Sequence, residues 1–398
     1  MKKILTIAVL GGLFAASTLQ AQVNIYIAGS TAFRANVFRA VKAAFDGGTW
    51  TSINPANAGT GTGVWTAQGT MTPLFGGQTV TIYASYNGSV QGLGDLNNNT
   101  AVTFTNITPG GAAVSQVPNI TFSDVDKIST LWPNAPVIET HVAVLPFTFC
   151  RNVSCPTSVT NITGHQLQSL WDNGALKLSM FTGNTNDDSG TMYVTGRNKD
   201  SGTRVAASAD TYYTGSPIFY GFQSGVFTVM NQNLNGAIYG FGYSSGGNEA
   251  QALTNTAAAG PMIGYEGLND ALLVAGCASA GAPQNNGGGN CSIIAYDGYY
   301  PFNGYTAGST QVPAYPDFTP ITTGKYTYWS YECIETLNTH ASDNVHTWYT
   351  NMVSNLDADI VNAEAGGGNS ATYGPVTAIR LSEMRVSRSS VGGEITPN

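Results

Sequence analysis

Two rhythms of apolar residues succeed one another along this chain. In "NIYIAGSTAFRANVFRAVKAAFDGG" the run Asn24 to Ala28 has the short apolar character of a strand. Phe33, Val37, Val41 and Phe45 then recur at helical spacing, with Arg34, Arg39 and Lys42 mainly on other faces. Gly29-Ser30-Thr31 is the turn between them. Ser30 or Thr31 is the expected N-cap, and Gly47-Gly48 stops the helix.

The same order of strand, polar turn and helix returns. "TVTIYASYNGSVQGLGDL" runs from a β-branched strand through Asn87-Gly88-Ser89 into a helix, and "ITFSDV" ends a strand at Ser123 and Asp124. "HVAVLPFTFC" has the unbroken apolar run of a buried strand. "NITGHQLQSLWDNG" is a helix capped by Thr163, and "GTMYVTGRNKDSGTRVAASADTYY" repeats strand, turn and helix. A helix, a Gly-Pro break, a strand from Met262 to Tyr265 and a second helix follow. Val345, Trp348, Met352, Leu356 and Ile360 mark the buried stripe of a late helix. Thr49 to Gly77 and Gly281 to Asn290 read as loop insertions, and the chain is loop-rich as far as Gly324. Strands alternating with helices predict an α/β fold.

Composition sharpens this. A chain of 398 residues suits two lobes, and 42% apolar residues can fill their cores. Only 10% of residues are charged; Asn, Thr, Ser, Tyr and 48 glycines supply the remaining polarity, a surface familiar in exported bacterial proteins. The net charge of −8 and the absence of a basic stripe argue against nucleic-acid binding. That negative field also means that any anion must be held by local geometry. Lys2 and Lys3, the apolar run Ile4 to Ala16 and the small Ala21 before Gln22 have the form of a secretory signal peptide over residues 1–21. Its apolar core is too short to span a bilayer, and no cysteine follows it to carry a lipid. The mature protein is expected to be soluble and periplasmic.

Five cysteines enter an oxidising compartment. A staple between Cys277 and Cys291 fits the Gly/Asn-rich loop between them. Cys150 and Cys155 could close a short loop, leaving Cys333 buried among Tyr331, Ile334 and Leu337. The four histidines are scattered and there is no C-x-x-C, so no metal is expected. Nor does any histidine stand in a recognisable base context for Ser201 or Ser89, and no enzyme activity is expected.

Four polar junctions carry the chemistry: Gly29-Ser30-Thr31-Ala32, Gly88-Ser89, Ser123-Asp124, and Arg197 with Ser201-Gly202-Thr203. Three are read as helix starts, whose free N–H groups and hydroxyls suit a tetrahedral oxyanion. Arg197 can add a charge-assisted pair. Asp124 would repel a fully ionised ligand, yet accepts a hydrogen bond from one that keeps a proton. Such a site prefers hydrogen phosphate to sulfate.

These residues resemble the phosphate-binding proteins of bacterial ABC phosphate uptake. The resemblance runs in order through "IAGSTAFRANVFRAVKAAF", "YNGSVQGLGDL", "FSDV", "VLPFTFCRN", "ITGHQLQSLWDNG", "GRNKDSGTRV", "GGNEAQALTNTAAAGPMIGY" and "GKYTYWSYECIETL". It implies a two-lobed periplasmic binding protein fold of type II, with the ligand in the interlobe cleft. The implied lobes are 22–143 with 318–398, and 144–317. The chain would cross between them near His141 to Val144 and near Pro313 to Ile321. The phosphate ligands implied are Thr31, Ala32, Ser89, Asp124, Arg197, Ser201, Gly202 and Thr203, with Ser30 and Ser123 beside them. A monomer that closes on phosphate and is read by a membrane ABC permease is implied, with no cofactor. A relative that keeps the fold as a periplasmic or cell-surface structural protein, without phosphate transport, is the alternative. The chain departs from the family at Lys199, where an aspartate commonly holds the arginine.

Overall fold

The computed structural model describes residues 22–223, 226–230, 238–239, 241–255, 260–274, 278–279, 291–305, 311–312, 316–365 and 376–398. Residues 1–21, read above as a signal peptide, Cys277 and residues 281–290 lie outside the described residues. Among the described residues no helix is long and apolar enough to cross a membrane.

The first half of the fold begins with β1 (Val23–Gly29) and α1 (Arg34–Ala44). There follow β2 (Ser52–Asn54), β3 (Val64–Thr70), β4 (Thr79–Ser85), α2 (Ser89–Asn98) and β5 (Ile120–Ser123). The long strand β6 (Val137–Asn152) leads into the second half. That half holds α3 (Gly164–Asn173), β7 (Ala175–Lys177), β8 (Thr191–Val194) and α4 (Gly202–Asp210). It continues with α5 (Gly246–Asn255), β9 (Met262–Gly267), α6 (Leu268–Val274) and β10 (Cys291–Tyr296). The chain then returns through β11 (Trp329–Leu337) and α7 (Asn344–Ala365).

One sheet path runs β7-β8-β9-β6-β11-β5-β1-β4-β3-β2, with β10 also paired to β6. β1 is parallel to β4 and β5, whereas β11 is antiparallel to both β5 and β6. β11 can lie among the early strands only because the chain comes back from the second half to complete the first. This is the mixed α/β layout expected from the sequence.

β6 belongs to both halves. From Val137 to Pro146 it pairs with β11, and from Phe147 to Arg151 with β9. Beyond Val142 it is buried throughout, which is why its sequence is an unbroken apolar run. The returning chain lies beside this switch. Phe147 N–H donates to the Tyr328 carbonyl at 3.1 Å, and the Tyr326 hydroxyl donates to the Phe147 carbonyl at 2.7 Å. β6 and the returning chain therefore meet in one aromatic seam, with the Phe147 and Tyr328 rings 5.3 Å apart.

Local expectations meet mixed outcomes. Thr163 caps α3 in a full capping box with Gln166. Val345, Trp348, Met352, Leu356 and Ile360 are buried on α7. Ser30 and Thr31 do not cap α1: Phe33 occupies that position, without a side-chain bond. Thr49 to Gly77 is not a plain loop, because β2 and β3 form a hairpin that extends the sheet beyond β4. Trp65 and Ala67 on β3 are fully buried there, and that burial fixes the hairpin. Likewise β10 is a buried strand inside the segment read as loop-rich. Cys155 is a buried free thiol, so the short Cys150–Cys155 loop is not closed by a disulfide; the expected Cys277–Cys291 staple falls on a residue outside the described ones.

Candidate functional site

Four of the residues singled out from the sequence meet where the two halves touch. Ser89 is the first residue of α2, and Asp124 follows the end of β5. Gly202 and Thr203 open α4 in the second half, with Ser201 as its N-cap. The Ser89 hydroxyl donates to Asp124 Oδ1. The Thr203 hydroxyl donates to Asp124 Oδ2 at 3.2 Å, and Asp124 N–H donates back to Ser89 Oγ at 3.3 Å. The carboxylate thus sits at the N-terminus of α4, where the helix presents unpaired N–H groups and partial positive charge.

Glycine is required at this meeting. A Cβ on Gly202 would lie 1.7 Å from Asp124 Oδ1, and one on Gly88 would lie 2.7 Å from the Asp200 carbonyl oxygen. The backbones join here too: Val90 N–H donates to the Asp200 carbonyl at 3.1 Å. Ser201 satisfies α4 by accepting from Arg204 N–H at 3.3 Å.

Arg197 is 2% exposed and lies in the turn before α4. Its Nε donates to the Tyr243 carbonyl at 3.1 Å and its Nη2 to the Ser244 carbonyl at 3.2 Å. Lys199 is not a substitute for the missing aspartate: it is exposed and pairs with Asp200 at 2.7 Å. Two carbonyl oxygens orient the guanidinium instead. Burial pushes the Asp124 carboxyl above the usual range; the Ser89 bond, the Arg197 charge and the Thr203 bond oppose that rise.

Thr31 and Ala32 stand apart from this cluster. Thr31 shares an open cleft of about 530 Å³ with Asn87 and Gln91 from its own half and with Asn198, Asp200 and Ser244 from the other. Its carbonyl accepts from Arg34. Ala32 packs toward Gly267 of β9. The neighbouring candidates have local partners. Ser30 Oγ donates to Glu332 Oε2 at 3.4 Å, and Ser123 Oγ donates to the Val125 carbonyl at 2.6 Å.

Sequence reasoning missed the buried acids that surround the cluster. Glu332 on β11 and Glu249 on α5 are each fully buried. Glu249 accepts from Tyr265 N–H at 2.9 Å, and burial pushes its carboxyl up to about 8 against the pull of Arg197. Glu332 is likewise pushed up by burial and by Asp124. A signal was present: glutamates amid the aromatic run "YWSYECIETL" cannot face solvent if that run is a central strand.

No family model and no curated protein matches this chain. It is similar to several solved structures. A candidate phosphate ABC transporter substrate-binding protein with bound phosphate, from Clostridium perfringens, gives a TM-score of 0.49 at 12% identity, over 90% of this chain and 99% of its own. An ABC-type phosphate transport receptor from Vibrio cholerae gives 0.43 at 12% identity, over 85% of this chain and 97% of its own. The regulatory domain of CcmR from Synechocystis, in complex with 2-PG, gives 0.40 at 10% identity, over 84% and 96%. Likenesses of this size leave the function to be argued from the cleft itself.

Proposed function

We propose that this chain is an exported binding protein that captures inorganic phosphate between its lobes and delivers it to an ABC permease. The supporting observation is that the cradle already holds an oxyanion group. The Asp124 carboxylate accepts from Ser89 and Thr203 at the start of α4, and Arg197 acts on it electrostatically. A tetrahedral oxyanion entering the cleft takes the same donors, joined by Arg197 and by the N–H groups of Ser201, Gly202 and Thr203. Thr31 and Ala32 close the other side, from the lobe that carries Ser89 and Asp124.

In this reading the ligand moves Asp124 off Thr203 and gives it a proton to accept. Phosphate keeps a proton near neutral pH and sulfate does not, so sulfate would face an acceptor with an acceptor. Lobes 22–143 with 318–398, and 144–317, close about the seam at Phe147 and Tyr328, because a ligand touching both lobes favours the closed form.

The seated carboxylate also favours a second reading, a protein that keeps this fold and has Asp124 as its permanent internal anion. Calorimetric titration with inorganic phosphate separates the two. Saturable heat at about one phosphate per chain, lost in Arg197→Ala, supports transport. No heat and no thermal shift, from mildly acidic to mildly alkaline pH, leaves the structural reading.

A further inference from the structure

A second cluster lies on the other face of β11. Successive residues of a strand point to opposite faces, so Glu332 turns toward Ser30 while Cys333 turns away. Cys333 faces His141 across the β6–β11 ladder, and Glu335 faces Glu139 two positions on. Asp126, from the turn after β5, completes the group. His141 Nε2 lies 2.6 Å from Asp126 Oδ1, and Cys333 Sγ lies 4.0 Å from the same oxygen. One nitrogen, one sulfur and one oxygen ligand atom thus fall within 4.8 Å of one another.

The surroundings are those of a site rather than a packed core. Asp126 is 4% exposed, yet its Oδ2 accepts no hydrogen bond; the buried Glu335 carboxyl is hydrogen-bonded to Glu139. Buried acceptors without donors are uncommon and call for a cation. Glu139 is engaged by Lys127 N–H at 2.7 Å, which holds it beside Glu335. The His141 ring is stacked on Tyr331 at 4.1 Å between centroids, which fixes its direction. Its side chain is 37% exposed, so an ion can reach the group from solvent.

We propose that Asp126, His141 and Cys333 bind a borderline-soft divalent cation of the zinc class, with Glu335 or water as the fourth ligand. Thiolate, imidazole and carboxylate are the donor set such an ion selects over magnesium or calcium. Binding would part the Asp126–His141 pair to admit the ion and release the Cys333 proton to solvent. The histidines read as scattered in the sequence because the ligands come from three elements that the sheet brings together. The ion would pin β5, β6 and β11, the three strands behind the cleft.

Cobalt(II) titration of the full mature chain, stripped with chelator, tests this. The expected result is a thiolate-to-cobalt charge-transfer band reaching about one equivalent, displaced by zinc. Cys333→Ser should abolish the band and weaken zinc by more than about 100-fold, while Cys155→Ser leaves both intact. Should Cys333→Ser fail to fold, His141→Ala read by zinc-induced thermal shift replaces it, with the shift lost. Cobalt bound without the band, or zinc affinity unchanged in either variant, overturns the proposal.

Discussion

Asp124 and Gly202 meet across the cleft at a distance that excludes any side chain at position 202, since a Cβ there would lie 1.7 Å from Asp124 Oδ1. The halves can close at this point only around a carboxylate and a bare glycine. Gly202→Ala should therefore destabilise the closed form by about 1–3 kcal/mol, the usual cost of overpacking. In an Asp124→Ala background the same change should cost much less. Denaturant unfolding of the double-mutant cycle reads the coupling; additive effects would show that the two residues do not press on each other.

Arg197→Lys tests the guanidinium. Lysine keeps the charge but cannot donate to the Tyr243 and Ser244 carbonyls while presenting a further N–H to the cleft. Phosphate affinity should fall by about 10-fold to 100-fold, the worth of a charge-assisted bond or two. Lys199→Ala should leave affinity nearly unchanged, because the exposed Lys199 ammonium pairs with Asp200 and not with a candidate ligand residue.

Stability should depend on pH through Glu249. Its carboxyl is pushed up to about 8 in the folded protein, against about 4.3 in an unfolded chain. The native state thus favours the proton. The contribution is fully present below the unfolded value and is lost as pH rises through about 8. Denaturation midpoints should decline over that window. Glu249→Gln, which keeps an acceptor for Tyr265 N–H, should flatten the decline; an unchanged slope would remove Glu249 as its source.

Arg388 bolts the C-terminal segment to α4. It lies 3.6 Å from Asp210, donates to the Thr327 carbonyl at 3.2 Å and stacks 3.9 Å from the Trp329 ring centroid. Burial lowers its guanidinium to about 10. Arg388→Met leaves Asp210 buried without its cation and should cost about 3–5 kcal/mol in urea unfolding. Adding Asp210→Asn should recover part of that loss.

Elements set by local pattern were legible in the sequence, and pairings between distant strands were not. Thr163 and Gln166 form their capping box within one turn, so three residues of sequence contain the whole device. Ser30 reads as a cap by the same local rule, yet its hydroxyl goes to Glu332, 302 residues later in the chain. The Ser89, Asp124 and Thr203 junctions could be named from strand ends and glycine turns, but nothing local says that they touch. Arg197 was readable as a cation; its holders, the carbonyls of Tyr243 and Ser244, carry no side-chain signal at all. Asp126, His141 and Cys333 converge only because β6 pairs with β11, past a register shift that sets Cys333 opposite His141.

The central claim is that a protonated oxyanion replaces the Asp124 carboxylate at the head of α4. Competitive calorimetry of phosphate against sulfate on the mature chain tests it most directly. The account predicts saturable phosphate binding that excess sulfate leaves undisturbed, and loss of that discrimination in Asp124→Ala. Equal competition by sulfate in the unaltered protein would contradict it.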